Sequence, residues 1–250
     1  MLECVRIRAT GDEPLQAQIP GGFMVSIPRN ANLAAGGPGF MRAIFAAGAI
    51  LAAAALAPAQ SVNMFPADIG AAWTRVAIPP ANPLKPVDQW HIDAAKRTIV
   101  CDGNEGHEWL RFNHELSDFD FRVSWRFTPV AGTTKYNSGV FFRNSEDGTV
   151  WLQAQTSLAG GYIFGMMPGS GATDGKLERF SLQKEMTEDR VKPAGEWNLF
   201  EIRCVGDTCT LAVNGAVVNT LHTTVAKGYV GLEAEGYQIE FRDFHLRQLK

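Results

Sequence analysis

Two carboxylates and a guanidinium have the spacing that chemistry on a bound ligand would require. Glu233 and Glu235 are two residues apart in an alternating segment, so both side chains lie on one face of a strand. Glu235 directly precedes a turn glycine, and we expect it to transfer a proton inside a cleft; the alternative is a solvated edge-strand carboxylate. Arg143 ends another alternating segment, beside Asn137 and Ser138. Its planar guanidinium can hold ligand oxygens in a fixed fork, or it can pair with an acid that supports the sheet.

A third alternating segment places Trp151, Gln153 and Gln155 on one face of a strand. The two amides can donate and accept hydrogen bonds to a hydroxyl-rich ligand. Trp151 either packs against its neighbours or stacks on a ring of the ligand. The glycine-containing segment 160–165 follows, and we expect it to cap the cleft with Tyr162 within reach of the ligand. The pattern predicts one polar pocket built from adjacent strands.

These side chains need a sheet that holds them side by side, and the sequence from Trp90 onward predicts one. Residues 120–127 alternate strictly between apolar and charged or polar types, which is typical of a half-buried strand. Asn214-Gly215, between two such segments, is a strong signal for a two-residue hairpin. Repeated short strands without helical periodicity predict an all-β sandwich of two antiparallel sheets over 90–250. Residues 60–89, rich in proline and alanine, are predicted to be a lead-in that wraps this domain.

Composition and charge exclude several classes of protein. The 250 residues are 46% hydrophobic and 20% charged, which excludes disorder and coiled coil. With 23 Lys and Arg against 26 Asp and Glu, the net charge is −3, so there is no surplus of positive charge for nucleic acid. The five histidines lack metal-ligand spacing, and the glycines at 160–165 precede no helix that could bind phosphate. No cofactor is predicted, although a divalent cation stays open.

The N-terminal region has the character of a targeting segment. Residues 1–40 show no sustained periodicity, whereas 41–59 contain a positive charge, an apolar run and small residues before Gln60, as in a secretory signal peptide. The simplest interpretation is that Met41 is the initiator and that residues 1–40 are a non-native extension. A buried alanine-rich helix is the alternative. The mature protein is then expected to be periplasmic or extracellular, without membrane association after cleavage.

The cysteines agree with export. Cys204 and Cys209 are predicted at two strand ends that face each other across a tight turn, close enough for a disulfide in an oxidising compartment. Cys101 would be a buried thiol without a partner. We therefore expect a Cys204–Cys209 disulfide.

Five segments, in order, carry a resemblance to a known family: Asn137–Arg143, Lys192–Asn198 followed by Glu201-Ile-Arg, Val213–Gly215, Gly228–Gly236 and Glu240–Phe244. Together they resemble the 3-keto-disaccharide hydrolase family over roughly residues 68–248. The resemblance implies a concanavalin A-like jelly roll. It also implies a secreted enzyme that acts on di- or oligosaccharides, or other glycosides, whose glucose C3 hydroxyl has been oxidised to a ketone.

The ketone explains what the site must do. It acidifies the C2 hydrogen, so a base can remove that proton while the C1 leaving group departs, and water then adds back. This chemistry needs a base and a group that polarises the ketone, and it does not need the two carboxylates that flank C1 in ordinary glycosidases. We assign catalysis to Glu235, Arg143 and Gln153, and substrate binding to Asn137, Ser138, Trp151, Gln155, Tyr162 and Glu233.

One position departs from the family pattern. The family usually carries a glutamate where this sequence has Gln153, and an amide cannot act as a general base. If the family uses that carboxylate for proton transfer, this protein is altered there, and restoring the glutamate should raise activity. The departure favours the chief rival interpretation, a non-catalytic carbohydrate-binding module. An interaction domain for cell-surface assembly is a third interpretation. The oligomeric state is not predicted.

Overall fold

The computed structural model describes residues 59–157, 160–169 and 175–249, together with three short strands near the N-terminus. Those strands, β1 (Arg6–Arg8), β2 (Leu15–Gln18) and β3 (Met24–Ile27), form a small antiparallel sheet in a compact unit that spans Met1–Leu56. No periodicity in residues 1–40 predicts these strands. The predicted signal peptide at 41–59 lies almost wholly outside the described residues. Among the described residues, no helix has the length and apolar character needed to cross a membrane.

The second compact unit, Ala57–Lys250, is the predicted sandwich of two antiparallel sheets. The seven-stranded sheet contains, in spatial order, β13 (Leu177–Ser181), β12 (Ile163–Pro168), β11 (Trp151–Gln155), β10 (Gly139–Asn144), β17 (Tyr229–Ala234), β8 (Glu108–Phe112) and β5 (Trp73–Ala77). The eight-stranded sheet contains β16 (Ala216–His222), β15 (Thr208–Val213), β14 (Asn198–Val205), β9 (Phe119–Phe127), β18 (Ile239–Gln248), β7 (Thr98–Cys101) and β6 (Trp90–Asp93), with β4 (Gln60–Val62) paired to β18.

The alternation in sequence sets which residues fill the space between the sheets. On β9, Phe121, Val123 and Trp125 are buried, and the Trp125 ring packs edge-on against Phe200 of β14 at 5.3 Å between centroids. The predicted hairpin at Asn214-Gly215 joins β15 to β16, and both residues have positive φ, as this turn requires. The alternation of apolar and polar residues therefore predicted these strands correctly.

The predicted lead-in is part of the sandwich rather than a wrapping around it. Residues 60–89 contribute β4 to the eight-stranded sheet, a short helix α1 (Ile69–Ala72) and β5 at the edge of the seven-stranded sheet. Asp68 caps α1 by accepting a hydrogen bond from the Ala71 amide at 3.2 Å. The segment therefore contributes one strand to each sheet.

The three described cysteines are buried free thiols, which contradicts the predicted disulfide. Cys204 and Cys209 do face each other across the β14–β15 pair, as expected. A hydrogen bond with Cys204 lowers the pKa of Cys209, whereas burial raises the pKa of Cys204. Burial also raises the pKa of Cys101 to about 12, so this thiol is unreactive at neutral pH.

Candidate active site

A cleft of about 530 Å³ lies on the face of the seven-stranded sheet that is turned away from the core. The strands bring to it residues that are far apart in sequence, because β17 pairs with both β8 and β10, and β10 pairs with β11. The carboxylates and the histidine lie at the β8–β17 side, whereas the β11–β13 side carries mainly apolar side chains together with Gln153 and Arg179. The polar lining is His107, Gln153, Glu233, Glu235 and Arg179, with Thr149 and Asn144.

Glu233 is the centre of the polar group. Its side chain is 4% exposed, and both carboxylate oxygens have partners. His107 Nε2 lies 2.9 Å from Oε1, and the Gln153 amide donates to Oε2 at 2.6 Å. Burial alone would lower the pKa of His107, but the hydrogen bond and the charge of Glu233 outweigh it, so the pKa of His107 is raised. The pair therefore favours a protonated imidazole facing a carboxylate.

Glu235 is exposed at the cleft, one residue beyond the end of β17. Removal of water on the cleft side raises its pKa, and the nearby negative charge of Glu233 adds to the effect. A carboxylate with a raised pKa is a stronger base than an ordinary one, as proton transfer from carbon requires. Ligand atoms of His107, Glu233 and Glu235 all lie within 4.8 Å of one another, so these three residues could also hold a divalent cation.

A chain of amides supports the carboxylates. Gln153 also donates to Gln155 Oε1 at 3.0 Å, and Gln155 donates to Asn137 Oδ1 at 2.6 Å. Ser138 Oγ donates to the backbone carbonyl of Glu233 at 2.7 Å and so fixes the strand that carries it. Gly139 leaves the space that the Gln153 side chain occupies, since a Cβ there would overlap the Gln153 amide. The predicted binding residues Asn137, Ser138 and Gln155 thus act behind the cleft surface, through Gln153 and Glu233.

A row of aromatic rings crosses the same face of the sheet. Successive rings meet at 5.1–6.4 Å between centroids, most of them edge to face. The row consists of Trp109, Phe141, Trp151, Phe164 and Tyr162. Trp151 lines the cleft, as predicted. Tyr162 is not among the residues that line the cleft; its half-buried ring lies beside Phe164 on the same face, so its contact with the ligand stays a prediction.

Arg143 does not line the cleft, and its predicted catalytic role is wrong. The side chain is fully buried, and its guanidinium donates to the backbone carbonyls of Ser117, Gly206 and Val225 at 2.8–3.2 Å. Asp118 lies 3.6 Å away. The cause is a register shift between Phe141 and Asn144, with Arg143 at a φ of 52°, which removes its side chain from the face that Phe141 occupies. Arg143 ties loops together at the end of the sandwich.

Two charged or titratable residues of the cleft, His107 and Arg179, were not predicted from the sequence. His107 precedes β8, opposite the end of β17, so its approach to Glu233 depends on a pairing across 126 residues. Arg179 lies on β13, in a segment without a clear periodic signal, and its guanidinium carbon is 6.0 Å from the centre of the Phe164 ring. Neither residue has a spacing in sequence that would reveal it.

The fold and the cleft define a jelly-roll sandwich with an acidic and aromatic site on one sheet. Residues 84–247 match the family of the 3-keto-alpha-glucoside-1,2-lyase-like domain, and the chain belongs to this family, as the resemblance implied. The family supports a carbohydrate-active role.

Solved structures agree on the fold. Two putative glycosyl hydrolases from Parabacteroides distasonis ATCC 8503 superpose with TM-scores of 0.52 and 0.50, at 14% and 16% identity. Each match covers 76% of this chain, and 94% and 99% of the respective hydrolase. No curated protein matches the chain in sequence.

Proposed function

We propose that this protein cleaves 3-keto-glycosides by elimination across C1 and C2, followed by addition of water. The observation that carries the proposal is the cluster of Glu235, Glu233 and His107, which combines a base with a raised pKa and a positive group within one cleft. The family supports a glycoside that is oxidised at C3, because its name describes a 1,2-lyase acting on a 3-keto-α-glucoside.

Glu235 takes the proton from C2. The electrons of the C2–H bond form the C1–C2 double bond as the C1–O bond breaks, and the C3 ketone delocalises the charge that develops. The same carboxyl group then returns the proton to the departing oxygen. In the second half, the Glu235 carboxylate takes a proton from water as the water oxygen adds to C1, and it delivers that proton to C2, which completes net hydrolysis.

His107 supplies the positive charge that Arg143 was expected to provide. Its protonated ring is held by Glu233, and a cation near the ketone oxygen stabilises the enolate that forms in the transition state. Glu233 cannot share the role of base, since both of its oxygens accept hydrogen bonds. A divalent cation bound in the cluster would supply the positive charge in place of protonated His107. Loss of activity with a chelator would indicate the cation, and unchanged activity would indicate His107.

The test uses the purified chain, 3-keto-trehalose and 3-keto-sucrose, and their unoxidised parents. Release of free sugar from the ketones alone supports the proposal, whereas binding without turnover identifies a carbohydrate-binding module. Glu235→Gln should abolish turnover and leave the melting temperature nearly unchanged. The matched control is Glu201→Gln, which neutralises a carboxylate on the eight-stranded sheet and should retain full activity. Normal turnover by Glu235→Gln would remove this residue from the mechanism.

The proposal includes export. A signal peptide starting at Met41 would direct it, with cleavage before Gln60; the support is the sequence of 41–59, a positive charge, an apolar run and small residues before Gln60. The substrate would then be an oxidised glycoside outside the cytoplasm.

A further inference from the structure

The cleft is chemically divided. Its proton-transfer groups lie at the β8–β17 side, as described above. The opposite side is formed by strands β11 to β13, where Trp151, Phe164, Met166 and Leu177 line the cleft. Met166 lies directly across from Trp151 in the β11–β12 pair, so the apolar side chains form a continuous wall.

Gln153 lies opposite Phe164 in the β11–β12 pair, and its amide already donates to Glu233 and Gln155. Two further polar side chains at the border of the wall also have partners. The Thr149 hydroxyl donates to Asp147 Oδ1 at 2.9 Å, and the Asn144 amide oxygen accepts from the Leu152 backbone at 2.9 Å. The charged neighbour is Arg179, which is exposed and whose guanidinium borders the Phe164 ring. In the described part of the lining, the wall therefore offers apolar surface and one positive charge.

A second sugar and an aromatic group make different demands on such a wall. A hexose carries several hydroxyl groups, and each one that loses water without gaining a partner weakens binding. A flat apolar group loses nothing of this kind and gains from the burial of its surface against the aromatic rings. The observed wall suits the second case.

We infer that the leaving group of the natural substrate is an aromatic alcohol rather than a second sugar, and that an acidic substituent on its ring faces Arg179. The inference rests on the proposed function and specifies its substrate class. It assigns the determination of specificity to Phe164, Met166 and Arg179.

The experiment compares 3-keto-α-glucosides of benzyl alcohol, 4-carboxybenzyl alcohol and methanol with 3-keto-trehalose. Benzyl alcohol is used instead of phenol, because its acidity is close to that of simple alcohols and the leaving-group chemistry stays comparable. We expect kcat/KM to be about tenfold higher for the benzyl than for the methyl compound, from the apolar area buried, and higher again for the carboxybenzyl compound. Phe164→Ala should lower kcat/KM for the benzyl compound about tenfold more than for the methyl compound, and so remove the advantage of the benzyl group. Arg179→Gln should remove only the advantage of the carboxylate.

The outcomes distinguish this inference from the proposed function. If 3-keto-trehalose is the best substrate, or if Phe164→Ala slows the benzyl and methyl compounds equally, the inference is wrong while the proposed function stands. If no 3-keto-glycoside is cleaved, the proposed function is wrong. In that case binding of the unoxidised benzyl and methyl α-glucosides, measured by calorimetry, tests the apolar subsite independently of turnover. Tighter binding of the benzyl compound supports the apolar subsite, and equal or absent binding overturns it.

Discussion

Replacing Gln153 by glutamate tests whether the departure from the family pattern is a defect or a working part of the site. The amide donates to Glu233 Oε2 at 2.6 Å, and both side chains are buried. Gln153→Glu would place a second carboxyl group against the first, without a donor between them. The variant therefore has either two buried carboxylates that repel each other, or one carboxylate beside a carboxyl group that has taken up a proton.

The size of the effect follows from comparing these two possibilities. Two full charges about 3 Å apart repel by about 5.5 kcal/mol at an effective dielectric constant of about 20. Protonating a carboxyl with an ordinary pKa of about 4.3 costs about 3.7 kcal/mol at pH 7 and about 1 kcal/mol at pH 5. Taking up a proton is the cheaper solution at both values. The pKa of the pair is thus raised in the folded state, and the stability that the shared proton provides is present at low pH and lost as the pH rises.

The measurement is the free energy of unfolding of Gln153→Glu and wild type in urea at pH 5 and pH 7. We expect a loss of about 1 kcal/mol at pH 5 and about 4 kcal/mol at pH 7. Gln153→Met is the matched control, because it removes the donor without adding a charge. It should lose about 1.5–3 kcal/mol with little difference between the two pH values. A Gln153→Glu variant that is as stable as wild type at pH 7 and more active would refute the argument and restore the idea of an inactivating departure.

Three further results are expected. Arg143→Met should lose about 3–5 kcal/mol of stability, because it leaves three backbone carbonyls and Asp118 without their buried cation; kcat per folded molecule should stay at the wild-type value, and a selective loss of kcat would return Arg143 to the site. The pH profile of kcat/KM should rise through the raised pKa of Glu235, which must lose its proton, and fall above the raised pKa of His107, which must keep its own; a rate that is flat between pH 5 and pH 9 would contradict both assignments. N-terminal sequencing of exported protein should begin near Gln60, and material that retains residues before Met41 would disprove the predicted processing.

The fold followed from sequence because its signals are local. Alternation on β9 and the hairpin at Asn214-Gly215 are visible within a few residues, and both were confirmed. Residues 60–89 were misjudged for a physical reason. Strand β4 has three residues and belongs to β18 at the other end of the chain, so its existence depends on a partner that no local pattern reveals.

The residues of the site that local alternation positions were predicted, and those that depend on irregular backbone or on long-range pairing were not. Glu233, Glu235, Gln153 and Trp151 reach the cleft as predicted, since alternation places them on the right face of regular strands. The prediction for Arg143 failed because a register shift between Phe141 and Asn144 interrupts the alternation at Arg143, and such irregularities carry no reliable sequence signal. The contact between His107 and Glu233 forms only when β8 and β17 pair in the folded protein. No local pattern in the sequence could therefore predict it.

The energetic cost of the acidic cluster argues for catalysis rather than simple sugar binding. A module that only holds a sugar can rely on neutral hydrogen-bonding groups and needs no buried carboxylate. Burying Glu233 requires compensation from His107 and from Gln153. The pKa of the neighbouring Glu235 is raised by its own desolvation, and the charge of Glu233 adds to the effect. Binding gains nothing from a carboxylate whose proton affinity is increased in this way, whereas removal of a proton from carbon gains directly. The cluster therefore lowers the stability of the fold and increases the basicity of Glu235, which is the property that an elimination needs.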